Sequence, residues 1–438
     1  MDFAKRQKDH EYGLDPIVRS LLDTDFYKMA MLQLIWRWHK DVPVTFEMKN
    51  RTKEVDLGSF ITIEELDNQF RHVANLSFTR GEITWLRGNT FYGRKNIFDP
   101  EFIDWLEKDF YLSDYSIRNT DHDGLKVKFS GSWAAVTMWE IYSLTIVNTL
   151  RNRALMRDIS HFDLDVMFSR AKSKLWSKVE QLQTVGETYS LSDFGTRRRF
   201  DFLWQEWVVT ALKEGLGKNF LGTSNMLLAM KHDLEPIGTN AHELPMAYAA
   251  MCGDDDAALL QSPYKVLKDW EELYDGNMKV ILADTFGTTS FLKNAPHWIY
   301  SWRGFRIDSK SNIDAVEELM YYWDNHGNNP KNPLIIHSDG LDVSEFPEDN
   351  NIITILDKFA NPYVGSYDIG FGWGTMATND FIGCVPNKPD NYMKSISLVC
   401  KMTSAAGRPT VKLSDVPGKH MGPAEEIERY KRVFNYEG

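Results

Sequence analysis

From about residue 275 onward the chain repeats one unit: a short apolar run, a polar cluster, then a helix-like stretch. "MKVILADTFGTTSFL" begins the series. "IYSWRGFRIDSKSNIDAVEELMYYW" and "NPLIIHSDGLDVSEFPEDNNIITILDKF" follow, and "YVGSYDIGFGWGT" supplies a fourth apolar run that ends in glycines. The runs end at Asp284, Asp308, Asp339 and Gly374-Thr375, at intervals of 24, 31 and 35 residues. Strand–helix units of that length restrict the fold to a βα barrel or a doubly wound parallel sheet. In both, the strand C-termini line one face, and that face carries the site. A single aspartate at a strand end is often a helix cap. Four polar clusters at four successive ends point to a shared site.

The first third reads differently. "FYKMAMLQLIWRWH" (26–39) has helical apolar spacing, whereas "VPVTFEMKNRT" (42–52) and "LKVKFSG" (125–131) alternate like half-buried strands. "WAAVTMWEIYSLTIV" is broken by Glu140 and too short to span a bilayer, so it reads as a buried helix. A chain of 438 residues with 43% apolar content builds a sizeable core. Its net charge of −12 argues against nucleic acid and anionic membranes as partners, while leaving room for a local basic pocket. Cys252, Cys384 and Cys400 are odd in number and widely spaced, which fits a reduced cytoplasmic protein without structural zinc. The opening "MDFAKRQKDHEYG" lacks the apolar core of a signal peptide.

"EPIGTNAHELP" (235–245) places His242 between a Gly-Thr-Asn turn and Glu243. A zinc-protease helix requires a second histidine four positions on, and Met246 stands there. Asn240 and Glu243 have capping-box spacing, so His242 could simply occupy a first helical turn. The other reading is nucleophilic or acid–base chemistry at a helix N-terminus, where free N–H groups favour anions. "YSLSDFGTRRRF" (189–200) carries Asp193 and Arg197, Arg198 and Arg199. The run is either solvated, at least in part, or a guanidinium fork for phosphate. Its "DFG" is not a kinase signature, because no glycine-rich ATP loop or H-R-D loop precedes it. "GFGWGT" (370–375) lacks both the third fingerprint glycine and a Walker lysine, yet its backbone and threonine suit one phosphate. Arg306 and Asp308 stand two apart on a strand and share a face. Arginines, strand-end carboxylates and a phosphate loop suit a phosphorylated sugar with a diphosphate leaving group. Carboxylates steady the cation-like sugar, while arginines and magnesium neutralise the diphosphate.

Eight ordered stretches, "LLDTDFYKMAML", "FEMKNRTK", "SDFGTRRR", "GTNAHELP", "ADTFGTTSFL", "FRIDS", "HSDGLD" and "FGWGTM", resemble the nicotinate phosphoribosyltransferase family. They span residues 21 to about 376. The resemblance implies an α/β fold of the type II phosphoribosyltransferase kind: an irregular βα barrel plus an α/β sandwich domain. The sandwich would comprise residues 1–150 completed by about 385–438, with the barrel over 151–384. The implied reaction joins nicotinate to phosphoribosyl pyrophosphate, giving nicotinate mononucleotide and diphosphate, driven by ATP. His242 would be transiently phosphorylated, a task that suits neutral imidazole. Asp284 or Glu243 would orient it, Asp284 being favoured. Phe194 would stack on the pyridine ring, and Tyr27 would cover the other face from a partner subunit, implying a homodimer. Thr239 and Arg306 would contact the nicotinate carboxylate. Arg197 would sit near ring and diphosphate and Asp308 near the ribose. Asp339-Gly340 and Gly374-Thr375 would hold the ribose phosphate. Magnesium would accompany ATP and phosphoribosyl pyrophosphate without direct protein ligands, and no organic cofactor is implied. One departure is "RIDSKS", where Lys310 and Ser311 replace the family's glycine and acid.

Two other activities compete. Nicotinamide phosphoribosyltransferases carry an aspartate where this chain has Ser224; without that charge the pocket favours a carboxylate substrate. A metal-dependent sugar-phosphate lyase or isomerase would use Asp284, Asp308 and Asp339 as metal ligands. That reading gives "SDFGTRRR" and "GTNAHE" no shared purpose. A non-catalytic phosphoribosyl-binding protein is a third class.

Overall fold

The computed structural model describes residues 15–120, 124–186, 189–326, 333–343, 348–359 and 367–436. Two sheets organise them. The first has five antiparallel strands, in the order Arg408–Pro409, Leu398–Ala405, Pro43–Asn50, Gly124–Ser132 and Tyr115–Thr120. Its alternation explains its layering. Val44, Phe46 and Met48 are buried, as are Leu125, Val127 and Phe129. Phe46 pairs with both Met402 and Phe129, so one apolar row crosses three strands. Glu47, on the other face, pairs with Lys401 and Lys128.

The apolar face packs on helices. Phe26–Trp38 is buried from Phe26 through Ile35. The stretch read as one buried helix forms two, Trp133–Val136 and Trp139–Met156. The second is buried nearly all round, including Glu140, Asn148 and Arg151, so its polar groups must find partners inside.

The second sheet has seven parallel strands curled into a half-barrel. Their order is Glu235–Pro236, Phe220–Thr223, Tyr189–Asp193, Asp368–Trp373, Leu334–His337, Gly304–Ile307 and Val280–Leu282. The four sequence repeats thus form one half. Asp368–Trp373, last in the chain, pairs with Tyr189–Asp193 and joins the halves.

The C-terminal region divides between the two bodies. Residues 398–409 complete the antiparallel sheet. Beyond them, Val411, Leu413, Tyr430 and Phe434 form a separate small core with Ala249, Leu259 and Phe286. The apolar residues after 410 thus bury themselves against residues of the 249–286 stretch. Leu413 N–H donates to the Thr285 carbonyl at 2.9 Å, fixing that segment beside the strand end at Asp284. No helix among the described residues is long and apolar enough to cross a membrane.

Candidate active site

Every motif singled out in the barrel region falls just after a parallel strand. Phe194 follows Tyr189–Asp193 and Ser224 follows Phe220–Thr223; Thr239 and His242 come after Glu235–Pro236. Asp284, Asp308, Asp339 and Gly374 follow the remaining four. The C-terminal face of the half-barrel therefore gathers them, as strand direction requires.

His242 lies at the start of the Glu243–Met251 helix, buried, and its side chain caps nothing. Asn240 and Glu243 do not form the capping box that their spacing allows. The imidazole is held from both sides. Nδ1 is 3.0 Å from Thr285 Oγ1 and 3.8 Å from Asp284 Oδ1. Nε2 is 2.8 Å from Lys412 Nζ and 3.0 Å from Asp308 Oδ2. Nε2 thus lies between a donor, the Lys412 ammonium, and an acceptor, the Asp308 carboxylate: it can meet the first only with a lone pair and the second only with a proton. Burial pushes the His242 pKa down; Asp284 opposes this, Lys412 adds to it, and the net direction is down. Burial thus favours the neutral ring.

The flanking acids are ionised. Burial raises the Asp308 carboxyl, but Arg306, His242 and Lys412 outweigh it and hold it well below the usual range. Asp284 is lowered in the same way by His242 and Lys412 against its burial. It accepts from Ser309 Oγ at 2.7 Å and from Lys412 at 3.4 Å. Ligand atoms of His242, Asp284 and Asp308 lie within 4.8 Å of one another, a spacing that suits a cation. Lys412 already supplies that charge, so these residues do not fit a directly bound metal.

Arg306, only 11% exposed, makes long bonds: 3.4 Å to Thr239 Oγ1, 3.3 Å to the Asn240 carbonyl and 3.5 Å to Asp308 Oδ1. Its Nε is buried with no partner. A guanidinium so loosely satisfied has capacity for an incoming anion. Phe194 lies on Gly372; a Cβ there would come within 2.2 Å of the ring. The aromatic ring occupies the space a side chain at 372 would fill.

The model for the nicotinate phosphoribosyltransferase family matches residues 189–438, and that for the family's N-terminal domain matches 22–148. The chain belongs to the nicotinate phosphoribosyltransferase family. It is a phosphoribosyltransferase of NAD biosynthesis, and the family implies nicotinate and phosphoribosyl pyrophosphate as substrates. Two solved structures share its fold. The nicotinate phosphoribosyltransferase from Porphyromonas gingivalis is 26% identical, with TM-score 0.81 over 96% of this chain and all of that one. The one from Vibrio cholerae is 27% identical, with TM-score 0.81 over 97% of this chain and 95% of its own.

Against this family background, several site expectations change. Glu243 does not orient the imidazole. Its carboxylate accepts from Trp133 Nε1 at 2.5 Å and Thr137 Oγ1 at 2.7 Å and pairs with Lys28, on the sheet side of the helix. One residue of helix rotation separates it from His242, enough to turn it away. Tyr27 is buried in its own chain, where its backbone meets Gly238 and its hydroxyl senses Arg197. Ser224 is not in a spot free of acid: it donates to Asp25 Oδ1 at 2.7 Å. Burial raises the Asp25 carboxyl, and Arg197 counters.

The three arginines separate, and none belongs to a fully solvated run. Arg199 is completely buried and pairs with Asp23 at 2.7 and 2.6 Å, a structural role. Arg198 donates to the Leu398 carbonyl at 3.1 Å. Arg197 is 41% exposed and rests 3.3 Å from Glu140. Asp339 and Gly340 form an exposed rim loop in the left-handed region, φ 66° and 70°, with Asp339 3.1 Å from Lys419. Gly374 and Thr375 open a one-turn helix beside the Phe194 carbonyl.

Lys412 and Lys401 were invisible as site residues. Each is a lone lysine in the C-terminal region, without a motif around it. Lys401 feels Glu140, Lys412, Arg197 and Asp308, and burial moves its pKa down to about 8. Only the return of the chain to the first sheet brings it there.

Proposed function

We propose that the chain makes nicotinate mononucleotide and diphosphate from nicotinate and phosphoribosyl pyrophosphate, coupled to ATP through a phosphohistidine at His242. The observation that carries this reading is the buried imidazole whose Nε2 lies between Lys412 and Asp308, with Asp284 beyond Nδ1. Nε2 attacks the γ-phosphorus of ATP; the N–P bond forms, the bond to the β-phosphate oxygen breaks, and ADP leaves. Asp284 steadies the positive charge that develops on the ring, and Lys412 neutralises the transferred group. Hydrolysis of the phosphohistidine returns the imidazole and releases phosphate. In the transfer step the pyridine nitrogen attacks the anomeric carbon as its bond to diphosphate breaks. Asp308 supplies the carboxylate that the cation-like sugar needs. Arg306 and Thr239 receive the nicotinate carboxylate, with Phe194 and Tyr27 bracketing the ring. Arg197, the Asp339-Gly340 rim and Gly374-Thr375 serve the phosphates. Magnesium enters as the counter-ion of the substrates.

The lyase or isomerase reading asks Asp339 to join Asp284 and Asp308 around a metal. Asp339 is exposed and paired with Lys419 instead. The test is turnover of nicotinate and of nicotinamide with phosphoribosyl pyrophosphate, with and without ATP, alongside labelling from γ-labelled ATP. Nicotinate should be preferred and stimulated by ATP. The protein should take up an acid-labile label that His242→Asn lacks. Label that persists in His242→Asn removes the phosphohistidine; preference for nicotinamide removes the substrate assignment.

A further inference from the structure

One buried lysine is bonded to both segments that carry the loops given to the ribose phosphate. Lys178 lies on the helix His161–Gln183, which precedes the strand Tyr189–Asp193 of the half-barrel. A lysine ammonium has three donors. Here they meet three acceptors: Asp342 Oδ1 at 2.8 Å, Asp380 Oδ2 at 2.8 Å and the Met376 carbonyl at 3.0 Å. Asp342 stands two residues past Gly340, and Met376 directly follows Thr375. The two loops leave neighbouring parallel strands, Leu334–His337 and Asp368–Trp373. One turn earlier on the same helix, Lys174 donates to Asp380 Oδ1 at 2.7 Å and to the Ile382 carbonyl at 3.0 Å. Two lysines thus balance two aspartates. Burial raises the Asp380 carboxyl, but Lys178 and Lys174 outweigh it and hold it below the usual range.

The acceptors are themselves fixed. Asp342 N–H donates to the Asn350 carbonyl at 3.0 Å, and the Asp342 carbonyl accepts from Ile352 N–H at 2.9 Å. Phe200 N–H donates to the Thr378 carbonyl at 2.8 Å, which ties the Thr375–Thr378 turn to the end of the arginine stretch. A buried ion cluster is a poor way to gain stability, because desolvation offsets most of the Coulombic attraction. It is a good way to fix distances, since an ammonium with three acceptors tolerates little displacement of any one of them. A phosphate cradle made from two loops needs that precision, because N–H groups on both must converge on one set of oxygens.

We infer that Lys178 is a positioning residue for phosphoribosyl pyrophosphate: it sets the distance between the Asp339-Gly340 and Gly374-Thr375 loops and so shapes the cradle for the ribose phosphate. This role rests on the proposed placing of that phosphate at the two loops. Lys178 is buried and acts through the loops, without touching substrate. The ribose phosphate keeps its bonds while the anomeric centre reacts, so its cradle binds ground and transition state alike. Loosening the cradle therefore raises KM and leaves kcat.

The test measures kcat and KM for phosphoribosyl pyrophosphate and for nicotinate, at saturating ATP, on the full chain. Lys178→Met/Asp342→Asn removes one charge of each sign and leaves Asp380 with Lys174. Its KM for phosphoribosyl pyrophosphate should rise by about 10- to 100-fold, the scale of a misplacement of about 1 Å. Its kcat and its KM for nicotinate should match the unmodified protein. Asp342→Asn alone keeps an oxygen for Lys178 and should keep the original KM. If the pair variant loses its fold in a thermal melt, Asp342→Ala decides: it cuts one loop from Lys178, which keeps Asp380 and the Met376 carbonyl. Thr375→Asp sets a like charge in the cradle and checks the phosphate placing itself, with a raised KM for phosphoribosyl pyrophosphate expected. That rise, together with an unchanged KM in the pair variant, overturns the inference. So does a parallel rise in the KM for nicotinate, which marks a structural role. A rise in Asp342→Asn equal to that of the pair variant also overturns it, by assigning the effect to Asp342. An unchanged KM in Thr375→Asp would instead fail the placing of the phosphate.

Discussion

At the scale of single residues, the site is built by leaving selected groups unsatisfied. Arg306 has long bonds on both terminal nitrogens and a buried Nε with no partner. A buried polar group without a partner costs stability, so the cost points to a ligand that removes it. Replacing Arg306 by alanine should raise KM for nicotinate far more than for ATP. Loss of a desolvated charge pair is worth about 2–5 kcal/mol, roughly 30- to 5,000-fold. Steady-state kinetics with nicotinate varied at saturating ATP read this directly, and an unchanged nicotinate KM would move the carboxylate elsewhere. Ser224 teaches the opposite lesson. Its lack of charge was read as favouring an anionic substrate, yet its hydroxyl serves Asp25, an acid from the other end of the chain. Burial raises that carboxyl, and Arg197 beside it counters.

At the scale of elements, strands set direction and glycine makes room. The strand Asp368–Trp373 pairs with Tyr189–Asp193, with Gly372 opposite Ser192 and beneath the Phe194 ring. Gly372→Ala would put a Cβ 2.2 Å from Phe194 Cδ2, far inside contact distance. The ring must then leave its place on Gly372. Overpacking of this kind costs about 1–3 kcal/mol of stability. The lost aromatic stacking should raise nicotinate KM by about 2- to 10-fold, from roughly 0.5–1.5 kcal/mol per aromatic pair. Melting temperature and KM measured together check this: a lower melting temperature with unchanged KM would place Phe194 off the ring. The "GFGWGT" stretch, read from sequence as a phosphate loop, thus has a second task in one of its glycines.

At the scale of the molecule, burial of ionisable groups ties stability to pH. His337 is fully buried, stacks on Phe371 and bonds Asn312 through Nδ1 at 2.9 Å. Burial pulls its pKa down to about 3. The folded state therefore keeps it neutral while the unfolded chain takes up a proton below its ordinary value of about 6.5. Stability falls as pH drops from about 6.5 to about 3, because there the unfolded state binds more protons. Glu140 acts in the same direction over a lower window, since its carboxyl must be protonated as pH falls from the ordinary range through about 2. A His337→Gln variant should show a shallower decline of melting temperature between pH 6.5 and 4 than the unmodified protein. Equal slopes would show that this histidine is not held neutral.

What the sequence determined by itself is local. Apolar alternation marked the strands around Phe46 and Val127, and helical spacing marked Phe26–Trp38, because side-chain periodicity is written directly in residue order. Polar clusters after apolar runs placed Asp284, Asp308 and Gly374 on one face, because parallel strands share a direction. Tertiary structure decided what those residues touch. Lys412 is 170 positions from His242, and Glu140 is 57 from Arg197. No periodicity reports such pairs, since they depend on which segments the sheet order and the small C-terminal core bring together. Glu243 shows the difference most plainly. Beside His242 in sequence, it faces Lys28 in space, because consecutive residues on a helix point apart while residues distant in the chain share the buried charge between them.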